Sequence, residues 1–198
     1  MRWVVRGFGL LALVAASTSC GDVVRQGRSP VYLVVELFQV ASGGSTSPTM
    51  HSAPLLSDVR TKGSIFDDVG EVTLKISLKD VGTGTTAPTP STNNEVTIDR
   101  YHVDYMRADG HNTQGVDIPY SFDGAITGTV PANGTLIIGF ELVRHDAKLE
   151  SPLMQLFSNP SVLNTIANVT FYGHDQVGNT VTVTGSVSVQ FADFADPS

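Results

Sequence analysis

From residue 31 onward the chain alternates apolar and polar residues with a period of two, and almost nowhere with the helical period of 3.6. The clearest case is 71–79 (EVTLKISLK), where Val72, Leu74, Ile76 and Leu78 alternate with Thr73, Lys75, Ser77 and Lys79. Successive side chains of a strand point to opposite faces, so this segment predicts a strand with one core face and one wet face. Residues 31–40 (VYLVVELFQV) are nearly continuously apolar and rich in Val, which predicts a strand buried on both faces. A short edge strand is expected within 55–61. Residues 95–107 (EVTIDRYHVDYMR) place Val96 and Ile98 in one phase and Tyr101, Val103 and Tyr105 in the other. One inserted residue reverses the facing of a strand, so this slip predicts a β-bulge at Asp99-Arg100.

Further strands are expected at 118–122, 125–130 and 135–143, the last two joined by a turn at Pro131-Ala132-Asn133-Gly134, whose Asn-Gly pair suits positive φ. Ser151-Pro152 has the form of an N-cap followed by proline, which predicts one short helix over 153–157. The chain closes with a long hairpin, 167–173 and 180–191 around a turn at 175–179. Its last arm carries Val181, Val183, Val187, Val189 and Phe191 on one face, with Gly185 in the same phase as an expected bend. Thr180, Thr182, Thr184, Ser186, Ser188 and Gln190 form the other face. About seven to nine strands with at most one short helix predict an all-β fold, an antiparallel β-sandwich, with a barrel or jelly roll as the alternative. The segment 168–189 (NVTFYGHDQVGNTVTVTGSVSV) resembles the closing hairpin of bacterial immunoglobulin-like and fibronectin-like domains. The immunoglobulin cysteine pair is absent, because Cys20 is the only cysteine.

The first twenty residues follow a different logic. Arg2 and Arg6 precede a ten-residue apolar run (GFGLLALVAA, 7–16), and Ser17-Thr18-Ser19-Cys20 closes it with small residues. That run is half the ~20 residues a membrane-crossing helix needs, and the three-part layout is that of an export signal. It resembles the bacterial lipoprotein signal, which is cut immediately before a cysteine that carries a diacylglycerol. Ser17 stands where that family usually has Leu, and Ala15-Ala16-Ser17 also suits the ordinary signal peptidase, which would give a secreted protein instead. The resemblance implies residues 1–19 as signal peptide, Cys20 as the lipidated mature N-terminus and a membrane partner through the acyl chains. A lone cysteine is a liability in an exported protein unless it is consumed in this way. Gly21, rather than Asp, after the cysteine implies the outer membrane, facing periplasm or exterior. Residues 20–30 then form a tether, and 31–198 a single domain.

Charge narrows the partners. The chain has 12 basic and 19 acidic residues, and removal of the signal deletes two of the basic ones and no acid. Without any Lys/Arg cluster, such a surface repels nucleic acid and anionic lipid. No GxSxG elbow, HExxH or phosphate-cradling glycine loop is present, and no cofactor is expected. Among chemistry-bearing residues, Arg100, His102 and Asp104 share a strand face, which reads as cross-strand pairing on a polar surface. His51, His111, His145 and His174 show no ligand spacing. Calcium needs six to eight oxygens. Asp109, Asn112 and Asp117 are the candidates for supplying them, with Asp67-Asp68 and Asp123 further off. Turn formation explains the same residues. Tyr101, Tyr105, Tyr120 and Phe122 read as core before they read as a sugar-stacking surface. Glu141, within an apolar strand, reads as an outward residue. The expected function is a lipid-anchored, non-enzymatic envelope protein that binds or scaffolds an envelope protein or glycan. The alternative is a carbohydrate-active or other hydrolytic lipoprotein with a dispersed site.

Overall fold

The computed structural model describes residues 28–44, 48–80, 82 and 88–194. The expected signal peptide, Cys20 and most of the tether lie outside the described residues. Eight strands are described: β1 (Val31–Ala41), β2 (Leu55–Asp58), β3 (Asp68–Leu78), β4 (Val96–Met106), β5 (Phe122–Val130), β6 (Leu136–Val143), β7 (Leu163–Asp175) and β8 (Thr180–Ala192). A one-turn helix α1 (His145–Lys148) and 3₁₀ turns at Thr92–Asn94 and Leu153–Phe157 complete the elements. The fold is thus all-β, in two sheets ordered β1-β3-β6 and β2-β8-β7-β4-β5.

The second sheet is mixed, which corrects the expectation of a purely antiparallel architecture. β2 runs parallel to β8, from Leu55 beside Val189 to Asp58 beside Ala192. After β1 the chain doubles back along it, where Val40 and His51 exchange backbone hydrogen bonds of 2.9 and 3.1 Å. It then reverses again before Leu55, and so meets the edge of β8 heading the same way.

β1 is not buried on both faces. It is the outer strand of its sheet, so Val31, Leu33 and Val40 face the core while Tyr32 and Leu37 remain 56% and 44% exposed. A bulge at Glu36 interrupts its pairing with β3. The wet face is tied by Lys75 to Glu36 at 2.7 Å and by the Lys79 ammonium over the Tyr32 ring. The bulge predicted in β4 is present, between Ile98 and Arg100, against both neighbouring strands. It lets Val96, Ile98, Tyr101, Val103 and Tyr105 all face inward. Residues 118–122 do not form their own strand. Ile118 makes a single bridge with Gln114, and β5 starts only at Phe122. The helix expected at 153–157 is a 3₁₀ turn.

One apolar core joins the sheets. Phe140 of β6 lies 5.2 Å from Phe171 of β7 and from Tyr101 of β4, and 5.7 Å from Phe38 of β1. Val181, Val187, Val189 and Phe191 of β8 are buried and Val183 half-buried, as the alternation predicted. β7 and β8 stay in register through Gly185, which pairs with Val169. A Cβ there would stand 2.8 Å from the Phe38 ring, so the missing side chain makes room for β1 to close on β8.

The register sets two ends. Val31, Lys79, Val96, Val130, Asp175 and Thr180 gather at the end where residues 28–30 lead into β1. Ala41, Asp68, Met106, Val143, Leu163 and Ala192 lie at the other.

Candidate functional site

At this far end β4 stops at Met106 opposite Ile166, whereas β7 begins three residues earlier, at Leu163. Arg107 leaves the sheet because its backbone is captured by its own loop. Its N–H donates to Asn112 Oδ1 at 2.6 Å, and its carbonyl accepts from Asn112 Nδ2 and from the Gly110 N–H. Gly110 and Gly115 take positive φ (84° and 75°), and a Cβ on Gly115 would run into Tyr120. The gap between this loop and the strand start is an open groove of about 410 Å³. Arg107, Ala108, Asp109, Val116 and Asp117 line one wall. The 3₁₀ turn and the irregular 159–164 segment line the other, through Pro152, Gln155, Leu156, Asn159, Ser161, Val162, Leu163 and Asn164.

The groove gathers two of the three calcium candidates, Asp109 and Asp117, and the loop behind it holds Asn112. Their oxygens close the loop. Asp109 is gripped by Arg107 through both Nε, at 3.1 Å, and Nη2, and accepts the His111 N–H at 3.2 Å. Asp117 accepts the Thr113 N–H at 3.0 Å, leaving its second carboxylate oxygen without a hydrogen bond among the described residues. The Arg107 hydrogen bond, helped by the His111 N–H, holds the Asp109 carboxyl below the usual carboxylate range. Among the described residues, no three His, Cys, Asp or Glu side chains are placed to share a metal.

The remaining candidates disperse over the molecule. His102 faces Asp123 across β4 and β5 at 3.2 Å, and Arg100 lies 3.5 Å from the same carboxylate while stacking on Tyr172 at 3.8 Å. Asp104 is on that outer face, half-buried. His174 pairs with Asp99 at 3.3 Å. Tyr101 and Tyr105 are core, Phe122 packs against the core, and Tyr120 is exposed. Glu141 points outward and meets Arg144 at 3.5 Å. None of these lines the groove.

Two features escaped the sequence. His145 bonds Asp67 twice, through its backbone N–H at 2.6 Å and Nδ1 at 2.8 Å, with Asp146 3.1 Å from Nε2. The Asp67 hydrogen bond and the two carboxylates raise the His145 pKa. Partial burial pushes Asp67 up, but the His145 bonds and charge outweigh it and leave its pKa lowered. Beside this pair lies a buried ion pair, Lys148 Nζ to Asp68 Oδ2 at 2.9 Å, with both side chains at most 1% exposed. Lys148 also donates to the Asp58 and Phe66 carbonyls, at 2.9 and 2.8 Å. Asp68 accepts from Ser57 Oγ at 2.5 Å and from the Gly43 N–H at 3.0 Å. Asp68 is thus consumed by Lys148 rather than free for a cation. No spacing betrays such a pair, because a lysine in a polar turn reads as surface.

No family model matches the chain, and no curated protein matches it. Among solved structures it is similar to one described as "X-ray structure of Northeast Structural Genomics Consortium target SoR45". The two are 11% identical over 82% of this chain and 86% of that one, with a TM-score of 0.36, a likeness too slight to carry an argument.

Proposed function

We propose that this is a lipid-anchored, non-enzymatic envelope protein in which an immunoglobulin-like sandwich presents a binding groove away from the membrane. Cys20 is the acylated N-terminus, residues 1–19 the discarded signal, and the outer membrane the destination. The observation that carries the reading is positional. The groove opens at the end of the strands opposite Val31, where the tether meets the domain. A site meant to meet partners in the periplasm or outside the cell belongs there. Most of the large apolar side chains exposed among the described residues lie at that same end, Val116, Met154 and Val162 among them, which supports the reading, while Tyr32, Leu37, Ile137 and Val177 lie elsewhere. Apolar exposure concentrated on one side of a domain is characteristic of contact surfaces.

The groove's two carboxylates, Asp109 and Asp117, are what a hydrolytic reading would use. General acid catalysis requires a carboxyl whose pKa is raised, and Arg107 drives Asp109 the other way. Asp109 therefore does not suit the part of the acid. The anchor is tested by the intact mass of the membrane-extracted protein, which should be that of residues 20–198 plus acyl chains. Cys20→Ala should move the protein out of the membrane fraction or stall it as precursor. Unmodified mature protein beginning near Thr18 would overturn the anchor.

A further inference from the structure

We infer that the groove takes an extended polypeptide segment, bound as an added β-strand along the unpaired start of β7, with a cationic side chain on Asp117. This deepens the binding reading above and rests on it. The decisive feature is the mismatch in strand length. β7 pairs with β8 from Leu163 onward, but its ladder with β4 begins only at Ile166. Leu163, Asn164 and Thr165 therefore have no ladder partner on their β4 side, and of these Leu163 and Asn164 line the groove while Thr165 is buried. The chain that would have supplied one has turned away, since the Arg107 N–H and carbonyl are taken up by Asn112 and Gly110. The groove lies where the missing continuation of β4 would run. An open strand edge offers alternating N–H and C=O groups at peptide spacing, which a peptide main chain matches group for group.

The side chains around it suit the same occupant. Asn159 and Asn164 line the groove and make no side-chain hydrogen bond among the described residues, so their amides are available to a peptide backbone. Val116 and Val162 stand 64% and 51% exposed on opposite walls, and give an apolar side chain somewhere to dry. The charge left over is negative. Arg107 is neutralised by Asp109, while Asp117 keeps one carboxylate oxygen free. An extended segment alternating apolar and Lys or Arg residues complements this combination.

The test uses the mature chain (20–198) with Cys20→Ala, expressed without the signal, and backbone amide NMR. The probes are the capped peptides VKVKV and VEVEV, a VKVKV analogue N-methylated at alternate amides, and a neutral oligosaccharide, maltohexaose. VKVKV should shift resonances of 107–117 and 159–165, VEVEV should bind at least severalfold more weakly, and the N-methylated analogue should not bind. Asp117→Asn keeps an acceptor for the Thr113 N–H and should weaken VKVKV by about two- to fivefold at low salt, the worth of one exposed ion pair. The effect should fade as salt rises. Equal binding of the two charge variants, or tolerance of N-methylation, would overturn the inference. Maltohexaose shifting the same resonances while VKVKV does not would also overturn it, yet leave the groove as a binding site. Silence of these resonances towards every probe would sink both.

Discussion

The Lys148–Asp68 ion pair ties together the far end of the domain. It joins the start of β3 to the helical turn after β6, and its remaining hydrogen bonds tie in β2 and the loop after β1. Taking both charges out of water is costly, and here each buried nitrogen and oxygen of the pair has a hydrogen-bond partner. Removing one partner leaves the other charge buried and unpaired. Lys148→Met should therefore cost about 3–5 kcal/mol in denaturant melts. Lys148→Met with Asp68→Asn should cost less than the sum of the single changes, since both charges have gone. Additive losses would mean that the two side chains do not meet. The exposed neighbour, His145 with Asp67, acts through pH instead. The His145 pKa is raised, so its contribution is complete below the unfolded value near 6.5 and is lost as pH climbs through the higher folded value. The Asp67 pKa is lowered, so its contribution is present above about 3.9 and is lost as pH falls through the lower folded value. The clamp is therefore fullest between roughly pH 4 and 6. Comparing wild type with His145→Ala across pH 4 to 8, the stability difference should shrink above pH 7. A difference that stays flat would deny the pair any charge.

At the scale of elements, what could be read from sequence was facing, and what could not was neighbourhood. Alternation in 71–79 and 180–191, and the phase slip at Asp99-Arg100, all appear as the pattern requires, because side-chain direction is a local property of a strand. Whether a strand lies inside or at the edge of a sheet depends on partners far along the chain. Hence β1, apolar enough for a central strand, turned out to be an outer one, and β2 joined its sheet in parallel. The groove was equally hidden. Asp109 and Asp117 stood out in the sequence, but the wall they face comes from residues some forty positions later. The facing of β8 gives the sharpest test. Val187 is 3% exposed and faces the core, while Ser188 next to it is exposed. Val187→Asp forces a charge into an apolar core and should unfold or strongly destabilise the domain, by several kcal/mol. Ser188→Asp should shift stability by less than about 0.5 kcal/mol. Thermal melts of the two variants decide it, and equal losses would mean that both faces of β8 are covered.

With Cys20 acylated, the two ends of the domain would stand at different heights above the membrane. From Cys20 to Ser29 the chain can extend at most ~30 Å, at ~3.3–3.6 Å per residue. An eleven-residue strand such as β1 then adds ~36 Å before the far end is reached. With acyl chains on Cys20, Val177 in the turn beside Asp175 would lie nearer the bilayer than Val116 on the groove wall by up to a strand length. Both side chains are open to solvent, at 77% and 64% exposure, so either accepts a label without disturbing the core. Acylation would also consume the one native cysteine, leaving an introduced thiol as the single labelling site. Fluorophores on Val177→Cys and Val116→Cys, in protein anchored to vesicles containing headgroup-quencher lipids, should therefore differ. Val177→Cys should be quenched more, and the gap should narrow if the tether is lengthened. Stronger quenching at Val116→Cys would place the groove against the membrane, and its occupant would then have to be sought among lipids rather than extended peptides.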